Sequence, residues 1–179
     1  GAVHALHTLD GLGYMHLDRR YKSSGFVANG VAKAMSHRSS AVRRNAIAVL
    51  PHDEHGLSAL LAARHVFSDN NAQVRLQAIL CLADMEPSDE AGQLVATLAR
   101  RSSLDLWESN AVTAAAATHA PAFLQALGHP DDQHSTELND NALQTSAIVA
   151  EHVARNRPAV EVMQTLLAGI DGGSPELSA

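Results

Sequence analysis

"AVRRNAIAVL" (41–50) recurs twice further along the chain, as "QVRLQAILCL" (73–82) and "LWESNAVTAA" (106–115). Each copy sets a large apolar residue at one position, Val42, Val74 and Trp107, and alanine four places later, Ala46, Ala78 and Ala111. Further residues of the pattern follow at Val49 and Leu50, Cys81 and Leu82, and Ala114 and Ala115. The spacing i, i+4, i+7, i+8 is one face of an α-helix. The opening "GAVHALHTLDGL" enters the same register through Ala5, Thr8, Leu9 and Leu12. The matched alanines lie 41, 32 and 33 residues apart. A period near 33 is too long for one helix and suits a helical hairpin. The longer first offset predicts an insertion around "MHLDRRYKSSG" (15–25).

The partner helices are expected between these segments. "FVANGVAKAM" (26–35), "GLSALLAARHVF" (56–67) and "DEAGQLVATLAR" (89–100) each carry a helical apolar stripe. The turns "SHRSS", "SDNN" and "RSSLD" supply Ser39, Ser40, Asp69, Asn71 and Asp105 as candidate N-caps. The pattern loosens after Ala120. "PAFLQAL" (121–127) reads as another first helix, 128–140 as a polar loop, and 141–156 and 158–170 as two further helices with Pro158 at the start of the second. The expected organisation is helical repeats over 1–127, the loop at 128–140, a helical pair over 141–170 completing the stack, and a disordered tail at 171–179. A small residue at one point in every second helix would set a constant spacing between stacked helices.

Composition agrees with this reading and restricts the function. The 179 residues are 46% hydrophobic and only 3% aromatic, with a formal net charge of −6. Alanine and leucine favour helix over strand, and the negative balance opposes generic binding to a phosphate backbone. The single cysteine, Cys81, cannot form an internal disulfide. No apolar run is long enough to span a bilayer, so membrane insertion is not expected. The chain opens inside an apolar pattern, which reads as a piece of a longer protein.

The turn followed by Val-Arg-x-x-Ala, at Val42-Arg43-Arg44-Asn45-Ala46 and Val74-Arg75-Leu76-Gln77-Ala78, resembles the HEAT repeat family. Asp69, five residues before Val74, matches the family's turn aspartate. The resemblance covers roughly 1–127. It implies antiparallel helix pairs stacked in a right-handed superhelix, an all-α solenoid of about four to five hairpins, with turn Asp and helix Arg forming a ladder. The chain departs from the pattern where His37 and Ser102 replace the Asp and Glu108 replaces the Arg. "VHALHTLDGLG" (3–13), "LWESNAVTAAAATHAPAFL" (106–124) and "VAEHVAR" (149–155) also resemble the helical module of bacterial haem-binding, c-type cytochrome-containing dehydrogenase-like proteins. That resemblance implies export to the periplasm or cell envelope and a spacer between redox domains. The fragment would carry no cofactor itself, since it has no Cys-x-x-Cys-His.

Three function classes follow. The first is a non-catalytic scaffold that binds a protein partner or positions neighbouring domains. Its structural residues would be Ala5, Ala46, Ala78, Ala111, Val42, Val74, Trp107, Arg43, Arg75 and Asp69, with Trp107 and Cys81 both read as core. The second is a nucleic-acid binder or glycosylase of HEAT-like type. It requires Arg19, Arg20, Lys22, Arg43, Arg44, Arg100 and Arg101 to share one face, and the net charge disfavours it. The third is a metal-dependent enzyme. "PHDEHG" (51–56) places His52, Asp53, Glu54 and His55 in a row, with His65 the nearest further ligand by sequence. A zinc or iron site needs at least three converging ligands, and the repeat assigns this stretch to a loop between hairpins. HEAT-like deoxyhypusine hydroxylase binds iron through His-Glu pairs; here the order is reversed, at Glu54-His55 and Glu151-His152. No catalytic residue, metal ligand or cofactor is therefore assigned.

Overall fold

All regular structure among the described residues of the computed structural model is helical. The structure describes residues 1–15, 25–128, 138–155 and 164, with the backbone alone at 25–29. The expected insertion at 16–24, most of the polar loop (129–137), the helix at 158–170 apart from Gln164, and the tail at 171–179 lie outside the described residues. Nine helices of the described chain run in order: α1 Ala2–Gly11, α2 Gly25–Met35, α3 Ser40–Ala48, α4 Glu54–Ala62, α5 Ala72–Ala83, α6 Asp89–Ala99, α7 Leu106–Thr118, α8 Ala120–Gly128 and α9 Asp140–Arg155. A 3₁₀ turn, Arg64–Ser68, follows α4. None of the described helices is long and apolar enough to cross a membrane.

The contacts gather into two compact units, Gly1–Glu86 and Pro87–Ala179. The division falls inside the stretch 1–127 that the sequence reads as one run of repeats. In the first unit α3 is central and packs against α1, α2 and α5. Val42, Ala46, Ile47, Val49 and Leu50 of the α3 segment are all buried, as are Val74, Ala78, Ile79, Cys81 and Leu82 of α5. In the second unit α6 packs on α7 and α8, and α9 closes against α7 and α8.

The second-unit crossing of α6 and α8 is close because of Gly92. A Cβ on Gly92 would lie 2.6 Å from Ala122 Cβ and 2.9 Å from the Phe123 nitrogen. Glycine costs an α-helix about 1 kcal/mol relative to alanine. Here it lets the two backbones approach, and Val95 and Leu98 of α6 and Phe123 and Leu127 of α8 are fully buried.

Three positions depart from the repeat register. Trp107, expected in the core, is 69% exposed, and Glu108 beside it is buried. The cause is where α7 begins. Asp105 caps it and Glu108 closes a capping box, so the third residue of α7 is Glu108, whereas in α3 and α5, capped by Ser39 and Asn71, the third residue is Val42 and Val74. Counted from the caps, Val112 stands where Ala46 and Ala78 stand, and Ala111 is one place out of phase although buried. Ala5 is the second correction, being exposed together with Thr8 and Leu12. In α1 it is Leu6 that is buried, and α1 packs against α3. Third, the helix expected to run unbroken through 56–67 stops at Ala62 and tightens into the 3₁₀ turn. Consecutive Val66 and Phe67 of that turn are both buried, at 0% and 1% exposure.

Candidate functional site

"PHDEHG" is a capped helix entrance. Asp53 is the N-cap of α4, and its Oδ1 accepts from the backbone N–H of His55 at 3.0 Å and of Gly56 at 3.1 Å. These are orphan donors of a helix start, which a carboxylate satisfies well. Gly56 is obligatory because a Cβ there would fall 1.7 Å from the Pro51 carbonyl oxygen. His52, Glu54 and His55 are exposed around this turn. His65 sits in the 3₁₀ turn, with Nε2 3.2 Å from the Met35 carbonyl oxygen and 3.3 Å from Ser36 Oγ. It therefore donates to the C-terminal end of α2. Among the described residues no three His, Cys, Asp or Glu side chains are placed to hold a metal ion.

The densest polar constellation lies at the turn before α5. Arg43 on α3 meets Asp69 through two parallel bonds, Nε to Oδ2 at 2.6 Å and Nη2 to Oδ1 at 2.7 Å. Such bidentate pairing is the strong form of the ion pair. Asp69 Oδ1 also accepts from the backbone N–H of Asn71 at 2.9 Å. Arg43 Nη1 donates to the His37 carbonyl at 2.7 Å, six residues back, and Arg75 Nη1 donates to the Asp69 carbonyl at 2.8 Å, again six residues back. Each arginine thus ties its helix to its own preceding turn, and Arg43 reaches on to the next turn. The side chains of this pair are 13% and 6% exposed, so water screens it little. The hydrogen bonds from Arg43 hold the Asp69 carboxyl below the usual carboxylate range; burial opposes them, while the Asn71 N–H and the Arg43 and His65 charges add to the lowering.

The second unit joins its hairpins with amides. Asn139 Nδ2 donates to the Arg100 carbonyl at 2.8 Å while its Oδ1 accepts from the Ala142 N–H at 2.8 Å. Asn141 Nδ2 donates to the Ala99 carbonyl at 2.9 Å, and its Oδ1 accepts from Ser109 Oγ. Arg100 Nη2 donates to the Leu127 carbonyl at 3.0 Å. Buried His119 ends α7, and its Nδ1 accepts from the Ser88 N–H at the start of α6 at 3.1 Å. These partners escaped the sequence reading. The capping-box spacing of Asp105 and Glu108 was a readable signal; the turn asparagines and His119 carry no local signal that names a partner 30 or more residues away.

Arg19, Arg20 and Lys22 lie outside the described residues. Arg43 is paired with Asp69 and Arg100 is bonded to Leu127, in different units. Cys81 is buried at its expected core position, its Sγ 3.8 Å from the Ile47 carbonyl oxygen. Burial, with Asp84 adding to it, pushes the thiol up to about 12. An open depression of about 400 Å³ lies at the start of α7 and α9, lined by Leu104, Asp105, Leu106, Ser109 and Asp140 among others.

The described chain is thus an all-helical protein whose conspicuous polar groups bind neighbouring turns. No family model, curated protein or solved structure matches the chain.

Proposed function

We propose that this chain is a HEAT-like helical-repeat scaffold, a right-handed solenoid that holds neighbouring domains or a protein partner and performs no chemistry of its own. The observation that carries the reading is the bidentate Arg43–Asp69 pair. It links the second helix of one hairpin to the turn of the next. Arg43 and Arg75 make the same bond to a carbonyl six residues back, as a repeated structural device would. In a repeat stack each unit is stabilised by its neighbours, and such a seam supplies that coupling. The histidines give further support. His65 donates to the Met35 carbonyl and His119 accepts from the Ser88 N–H, so both serve the backbone at helix ends.

The test is chemical cross-linking with mass spectrometry on the protein in its native extract. The scaffold reading expects reproducible cross-links from residues 1–155 to another domain or to one specific protein. Cross-links confined to the segment itself would contradict it.

A further inference from the structure

We draw no further inference here: the strongest candidate, the open depression at the N-terminal ends of α7 and α9 with exposed Leu106 on its rim, joins an unpartnered apolar edge to two aspartates at helix starts, and nothing in the structure shows what covers it.

Discussion

At the scale of single residues, Asp69 and Cys81 show how placement decides chemistry. Asp69 receives the Arg43 guanidinium and the Asn71 N–H, which favour its charged form. Its folded-state pKa therefore lies below the unfolded value of roughly 3.9. The stabilisation is fully present above that unfolded value and is lost as pH falls through the folded one. Asp69→Asn should lower stability at pH 7 by about 2 kcal/mol, the scale of a lost charge-assisted bond. The difference between variant and wild type should shrink as urea unfolding is repeated from pH 5 down to pH 2. A constant difference across that range would show that the carboxylate charge is irrelevant. Cys81 shifts the other way, to about 12. Its contribution is intact below the ordinary thiol pKa of about 8.5 and fades as pH rises above it. At neutral pH the native thiol should resist a disulfide reagent and react promptly once urea is added. Equal rates in the two conditions would place the sulfur at the surface.

At the scale of helices, small residues set distances, and their positions are not interchangeable. Ala78 is fully buried on α5, whereas Ala5 on α1 is exposed. Ala78→Leu should cost about 1–3 kcal/mol by overpacking, and Ala5→Leu should stay within about 0.5 kcal/mol of wild type. Thermal melts of the two variants decide it; an unchanged Ala78→Leu melt would refute the packing role. Gly92 offers a sharper sign test. Helix propensity alone predicts that Gly92→Ala stabilises by about 1 kcal/mol. The added methyl would press on Ala122 and on the backbone of Phe123, so a net loss of about 1–3 kcal/mol is expected. A higher melting temperature for Gly92→Ala would mean that α6 and α8 are not held this close.

These elements also show what the sequence could disclose. The Val-Arg-x-x-Ala segments were legible as helices because helical periodicity is local, and α3 and α5 bury the residues it marks. Trp107 misled because the repeat register aligned it with Val42 and Val74, when the Asp105–Glu108 capping box had already set where α7 starts. The close approach at Gly92 was not legible. Its reason sits on α8, some thirty residues away, and a glycine inside a helix does not announce what it faces. The Asp69 match at the turn carried the partner's residue type; the two-bond geometry to Arg43 came only with the fold.

At the scale of the molecule, each compact unit holds a polar seam that ties a turn to a neighbouring helix. Within Gly1–Glu86 the seam is Arg43 to Asp69; within Pro87–Ala179 it is Asn139 and Asn141 reaching the end of α6. Both kinds bind a turn to a neighbouring helix, and the proposed scaffold would draw its stability from such nearest-neighbour links. The most direct test is a double-mutant cycle on Arg43→Ala and Asp69→Ala, read by urea unfolding at pH 7. The bonds that each residue makes to its own turn cancel in the cycle, which isolates the link between hairpins. The account predicts a coupling energy of about 1–3 kcal/mol between the two positions. Additive single mutants, with coupling below about 0.3 kcal/mol, would contradict it.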